Sequence, residues 1–340
     1  METPEFKTVG IVGAGAMGRG IAQIAAQAGS KVLLFDTQAD AVAKARESVA
    51  AQWDKLVEKG RIDAAAAAAQ KERVQPAATL ADLAPCDLIV EAIVERLDVK
   101  KGLFAELEGI VQTTAVLATN TSSLSVTAIA AGLKRPQQFA GFHFFNPVPM
   151  MKVVECIAGL KTDAAVCQRL ATYARQMGHT PVQAEDTPGF IVNHAGRGYG
   201  TEALRIVSEG VADFATIDRI LKDQVGFKLG PFELMDLTAL DVSHPVMESI
   251  YRQYYDEPRY RPSVITAQRL GVVAASGVVD DKAGRVLRLH RLVAPLAHGP
   301  GQGIAQGRVG FQPGNHLHNF HQRHRVKEVQ PSKTRGALQA

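Results

Sequence analysis

Two residues in the middle of the chain do not suit the runs that hold them. His143 lies in residues 139–145 and Glu155 in residues 153–157. Both runs are short, aromatic or β-branched, and bounded by prolines, the composition of strands. A carboxylate in a Val-Val-Glu-Cys-Ile strand is costly to bury unless a charged or hydrogen-bonding partner meets it. Across the Asn146-Pro147-Val148-Pro149 turn, the nearest candidate partner is His143. An imidazole oriented by a carboxylate is a common construction of a general base, because the acid fixes the tautomer and stabilises the imidazolium. A lone strand histidine is more often a core residue bonded to backbone, so the reading depends on what else the chain supplies.

It supplies a nucleotide cradle. Residues 7–12 read as a buried strand, followed at once by Gly13-Ala14-Gly15-Ala16-Met17-Gly18 and a helix with Ile21, Ile24, Ala25 and Ala28 on one face. That helix ends at Gly29, and a second strand, 31–35, runs into Asp36. A bare G-x-G-x-x-G recurs in many glycine-rich turns. Between a strand and a helix, with an acid about 20 residues on, it is the dinucleotide-binding fingerprint. The glycines admit the pyrophosphate to the helix N-terminus. Asp36 would accept hydrogen bonds from the adenosine ribose and repel a 2′-phosphate, so the cofactor expected is NAD.

Residues 40–75 read as a helical insertion with Ala43, Val49 and Leu56 as core candidates, Gly60 ending its first helix and Asp63 capping the second. Lys55 and Lys59 fall on one face, either a solvated face or a cationic handle for a phosphate-rich substrate. A parallel strand at 87–92 delivers Glu95 to the crevice side, and Lys100 follows on a helix from about Asp98, packed through Val99, Leu103, Phe104 and Leu107. The strand 115–118 leads into Thr119-Asn120-Thr121-Ser122-Ser123, where Ser122 or Ser123 is a helix cap or a substrate contact. A helix at 164–177 and a last strand at 180–183 precede Asp186-Thr187-Pro188-Gly189, after which the pattern turns helical with Asn193 at its start. The expected fold class is α/β: a Rossmann-type, doubly wound, mostly parallel sheet with a helical hairpin insertion, then an all-α second domain. The expected segments are 1–185, 186–270 and an irregular tail, 271–340.

Composition bounds the rest. At 340 residues, 46% hydrophobic, the chain is long enough for two domains with full cores. No apolar run reaches the length of a membrane span, no signal peptide is expected before the first strand, and Cys86, Cys156 and Cys167 lack metal-ligand spacing and suit a reduced cytoplasm. The net charge of +4 is misleading, because residues 271–340 hold ten Lys and Arg against three Asp and Glu. The remainder is slightly acidic, so neither a nucleic-acid nor a membrane partner is expected.

Taken together, the glycine fingerprint, Glu91-Ala92-Ile93-Val94-Glu95, Asn120-Thr121-Ser122-Ser123-Leu124, His143-Phe144-Phe145-Asn146-Pro147, Asp186 through Asn193 and Gly230-Pro231-Phe232-Glu233-Leu234 resemble the L-3-hydroxyacyl-CoA dehydrogenases. The resemblance runs from about Lys7 to about Leu270. Residues 194–200 and Arg261-Pro262-Ser263 look more like the phenylacetate-pathway branch, which acts on 3-hydroxyadipyl-CoA. It implies His143 as base, Glu155 as its orienting carboxylate, Ser122 and Asn193 as partners of substrate or nicotinamide, and Glu95, Lys100 and Asn146 lining the ribose and nicotinamide. It implies an acyl-CoA thioester as substrate and a homodimer built on the helical domain. A family lysine near the C-terminus that helps hold NAD has no counterpart here. Residues 282–290 can be back-translated so that a shifted frame spells a Gly-Phe-Phe-Asp-Tyr-like segment, and the tail reads as out-of-frame translation.

The expected reaction is NAD-dependent oxidation of an L-3-hydroxyacyl-CoA to the 3-oxoacyl-CoA. The alternatives are a β-hydroxyacid dehydrogenase of the 6-phosphogluconate type, whose catalytic lysine is not found, and a non-catalytic NAD-binding or inactive member of the same fold.

Overall fold

The computed structural model describes residues 3–38, 40–238 and 240–267. The tail expected at 271–340, with its frame and its missing lysine, lies outside the described residues. All described residues belong to one unit, Met1–Ala294.

The chain opens with β1 (Thr8–Val12), α1 (Ala16–Gln27) and β2 (Lys31–Phe35), followed by the insertion helices α2 (Ala41–Glu58) and α3 (Ala64–Arg73). Then come β3 (Val74–Pro76), β4 (Leu88–Glu91), α4 (Leu97–Ile110), β5 (Val116–Thr119), α5 (Val126–Ala130) and β6 (Phe139–Phe144). β7 (Val153–Ala158), α6 (Ala164–Gln176) and β8 (Thr180–Glu185) complete one eight-stranded sheet in the order β3-β2-β1-β4-β5-β6-β7-β8. Every neighbouring pair is parallel except β6 with β7. The chain winds outward from β1 to β3, then crosses back to β4 on the other side of β1. The crevice of a doubly wound sheet opens at that reversal, beyond the carboxyl ends of β1 and β4.

The central strands β1, β4, β5 and β6 are buried on both faces, and their side chains alternate accordingly. Val9, Ile11, Leu88, Val90, Val116 and Ala118 join one core layer with Ile21, Val49 and Trp53. Ile89 and Leu117 join the other with Phe104, Leu107 and Phe139. On α2 the buried face is Val42, Ala45, Val49 and Trp53, with Leu56 partly buried. Ala43, expected in the core, is exposed, because the residue after Val42 is carried round the helix onto its solvent face. Asp63 Oδ1 accepts from Ala66 N at 2.6 Å as the cap of α3. Ser125, rather than Ser122 or Ser123, caps α5 through Ala128 N, and Asp186 accepts from Val126 N and Thr127 N at the same helix start.

After β8 the chain is helical: α7 (Val192–Ser208), α8 (Phe214–Asp223), α9 (Pro231–Thr238) and α10 (Leu240–Gln253). Their own small core contains Ala203, Leu204, Ile217, Phe232, Met235 and Leu240. No described helix is long and apolar enough to cross a membrane.

Candidate active site

His143 and Glu155 are direct cross-strand partners in the β6–β7 ladder, a position where side chains share one face of the sheet. His143 Nδ1 lies 2.6 Å from Glu155 Oε2, with the two side chains 6% and 1% exposed. A carboxylate only accepts, so Nδ1 carries the proton and donates, and the Nε2 lone pair is left free. Nε2 has no hydrogen-bond partner among the described residues. Glu155 Oε1 accepts from Ile191 N at 3.0 Å and Val192 N at 2.9 Å, at the start of α7. The imidazole sits between the rings of Phe145 and Phe190, at centroid separations of 4.6 and 5.8 Å. Phe190 adopts φ 51°, a left-handed conformation that disfavours a bulky residue. The turn that carries this strain is the one that brings Phe190 onto the imidazole and its neighbours onto Glu155.

The loop after β5 is fastened to this pair from several sides. Asn120 Oδ1 accepts from Phe144 N at 2.9 Å, tying the loop to the strand of His143. Asn193 Nδ2 donates to Ser122 O at 3.2 Å, and Gln253 Nε2 donates to Ser123 O at 2.9 Å. Glu95 Oε1 accepts from Thr121 Oγ1, Ser122 N and Ser123 Oγ, at 2.5, 3.0 and 3.0 Å. Burial alone would raise the Glu95 carboxyl, but Lys100 and these donors outweigh it and hold it below the ordinary value.

Lys100 is held beside Glu95 by a buried ion pair. It is 1% exposed, with Nζ 2.5 Å from Glu91 Oε1 and 3.3 Å from Glu95 Oε2. Glu91 is wholly buried in β4 and also accepts from Thr119 Oγ1 at 2.7 Å and Ile93 N at 2.7 Å. A buried carboxylate without its cation costs about 3–5 kcal/mol, so Lys100 is committed to Glu91 and supports Glu95 from below. Asn146 is exposed at the β6–β7 turn. That turn rests on α1: a Cβ on Gly20 would come within 2.8 Å of Val148 Cβ. Lys55 and Lys59 are exposed at the end of α2, and no contact among the described residues joins them to the His143 cluster.

The glycine loop fits a dinucleotide. Gly13 has φ 104°, and a Cβ there would meet Ala92 O at 2.5 Å. A Cβ on Gly18 would meet Gly13 O at 1.7 Å, whereas nothing lies within 4 Å of one on Gly15. The loop is therefore packed shut behind and open in front, with the uncapped N-terminus of α1 at Gly15, a ready anion site. Asp36 Oδ2 accepts from Ala14 N at 2.7 Å and Oδ1 from Gln38 N at 2.9 Å. A carboxylate has about four acceptor positions, so capacity for ribose hydroxyls remains. Among the described residues no group of three His, Cys, Asp or Glu could hold a metal ion. A cavity of about 720 Å³ between α6, β8 and α7 is lined by none of the expected site residues.

Three positions in this network were given no site role by the sequence reading: Glu91, Asn120 and Gln253. Glu91 carried the same signal as Glu155, a carboxylate in an apolar strand. Asn120 and Gln253 act through side-chain bonds to distant backbone, which leave no pattern in a sequence.

The 3-hydroxyacyl-CoA dehydrogenase NAD-binding domain matches residues 8–187, and the C-terminal domain of the same enzymes matches residues 189–281. The second match runs past Leu270, where the resemblance read from sequence stopped. The chain is 42% identical to 3-hydroxyadipyl-CoA dehydrogenase of Escherichia coli K12, over 82% of this chain and 60% of that protein. It is 38% identical to a probable 3-hydroxybutyryl-CoA dehydrogenase of Deinococcus radiodurans, over 81% of this chain and 97% of the other. The crystal structure of (S)-3-hydroxybutyryl-CoA dehydrogenase from Ralstonia eutropha superposes with TM-score 0.76 at 36% identity, covering 79% of this chain and 94% of that one. The chain thus spans about 60% of the length of the E. coli protein and nearly all of the other two. The glycine loop, the His143–Glu155 pair and both matched regions lead to one conclusion: this chain belongs to the 3-hydroxyacyl-CoA dehydrogenase family.

Proposed function

We propose that the chain oxidises the 3-hydroxyl of a 3-hydroxyacyl-CoA thioester, 3-hydroxyadipyl-CoA or 3-hydroxybutyryl-CoA, with NAD. The observation that carries this reading is the buried His143–Glu155 pair, whose Nε2 has no partner among the described residues. His143 Nε2 takes the hydroxyl proton, and Glu155 keeps the tautomer and stabilises the imidazolium that results. Ser122 and Asn193, joined to each other, hold the substrate oxygen and the thioester end in place. Gly13, Gly15, Gly18 and Asp36 hold the adenosine half of NAD, and Glu95, backed by Lys100, and Asn146 bound its ribose and nicotinamide end. NAD in that cradle supplies the hydride acceptor. Lys55 and Lys59 serve the CoA phosphates as an exposed cationic handle. The helical part pairs with a second copy of this chain through exposed apolar residues such as Val225, Phe227 and Leu237, and the protein works in the cytoplasm. Turnover of acetoacetyl-CoA with NADH by the full chain tests the reading. Oxidation of NADH that depends on the thioester is expected, and binding of both ligands without oxidation would return the chain to the non-catalytic alternative.

A further inference from the structure

Arg197 lies one turn beyond Asn193 on α7, and its Nη2 donates to Asn193 Oδ1 at 3.0 Å. That amide oxygen is the only hydrogen-bond partner of the guanidinium among the described residues, and no described carboxylate forms an ion pair with it. The residue is half-buried. Burial pulls the guanidinium down to about 10, still protonated at neutral pH, and no opposing charge among the described residues offsets that cost. A guanidinium offers five N–H donors in a planar fork, and here most of the fork is unspent. A partly desolvated cation without a counter-charge is unfavourable alone and favourable once an anion reaches it.

The place of Arg197 decides which anion that is. The NAD pyrophosphate belongs at the glycine loop, and the CoA phosphates lie at the far end of the pantetheine arm. Arg197 instead adjoins Asn193, which is bonded to Ser122, and the proposed reaction puts C3 of the substrate beside those two. Side chains one helical turn apart are separated by about 5–6 Å, so the fork reaches the acyl chain a few bonds beyond C3. We propose that Arg197 is a specificity-determining residue that pairs with a carboxylate at the far end of the acyl chain, so that the preferred substrates are thioesters of 3-hydroxy dicarboxylic acids. This rests on the dehydrogenase reading above and adds to it the substrate class and the residue that selects it.

The test compares kcat/KM for 3-hydroxyadipyl-CoA and 3-hydroxybutyryl-CoA in the wild type, Arg197→Met and Arg197→Lys. The wild type is expected to prefer the carboxylated thioester. In Arg197→Met the ratio of the two kcat/KM values should fall about 10- to 100-fold, the size of a charge-assisted hydrogen bond, and chiefly through KM. Arg197→Lys should recover part of the ratio, since it keeps the charge and loses the fork. Any disturbance of Asn193 strikes both substrates and leaves the ratio alone. A wild-type enzyme without preference, or a ratio unmoved in Arg197→Met, would overturn the assignment while leaving the dehydrogenase standing. Absence of turnover with either thioester would overturn the dehydrogenase reading and this one with it.

Discussion

Glu155 holds His143 with one oxygen and the first turn of α7 with the other: Oε2 meets Nδ1 at 2.6 Å, and Oε1 accepts from Val192 N at 2.9 Å. One carboxylate in the sheet therefore orients the proposed base and fixes the helix that carries Asn193 and Arg197. Its burial is tolerable because every part of it is engaged: a ring N–H on one oxygen and two backbone amides on the other. The proposed base and α7 cannot shift independently without breaking a bond to Glu155.

Substitution of the pair should separate these duties. His143→Gln is expected to lower kcat by about 10²–10⁴ while NAD still binds, because the base acts in the chemical step. Glu155→Ala should lower kcat as well and also cost about 0.5–2 kcal/mol of stability, the usual range for a lost helix cap. Steady-state kinetics with calorimetric NAD binding checks the first, and urea unfolding the second. Near-normal kcat in His143→Gln would rule out the general-base role.

The reach of the sequence can be judged from these same residues. The His143–Glu155 pairing was legible because two polar groups interrupted two apolar strands across a short turn, and an antiparallel register leaves such residues facing each other. The glycine loop was legible because backbone crowding at Gly13 and Gly18 admits no side chain. The ion pair of Lys100 was not legible because periodicity tells which face of a helix is buried, not which buried charge awaits it there. Glu91 meets it with Nζ and Oε1 2.5 Å apart. The anchoring of Ser122 was invisible for a related reason: Glu95, Asn193 and Gln253 reach its loop from different elements through bonds with no local spacing.

Cofactor preference follows from Asp36. Its carboxylate is tethered to Ala14 N at the glycine loop, where it would accept ribose hydroxyls and repel a 2′-phosphate. NAD should exceed NADP in kcat/KM, and Asp36→Ser should narrow the gap. Equal efficiency of the two cofactors in the wild type would remove Asp36 from the ribose.

Lys55 and Lys59 offer a sharper discrimination than their exposure suggests. Lysines at the end of α2 favour the helix dipole whether or not a ligand comes near. If they meet the CoA phosphates, replacing both with Ala should raise KM for the CoA thioester more than for the matching pantetheine thioester, and added salt should erase the difference. An equal change for the two substrates would leave only the dipole role.

Glu95 gives the fold a dependence on acid with a definite sign. Burial pushes its carboxyl up, yet Lys100 and the donors of Thr121, Ser122 and Ser123 bring it below 4.5 in the folded chain. A carboxyl depressed by folding adds stability that is complete above its unfolded value and is lost as the pH falls through the lower folded value. Its side chain is 37% exposed, so solvent screening keeps the contribution modest. Glu95→Gln should therefore melt below the wild type at about pH 7, and the two melting temperatures should converge as the pH falls through the lowered folded value. A gap that stays constant across that range would mean that the charge of Glu95 does not hold the Thr121–Ser123 loop, and that shape alone does.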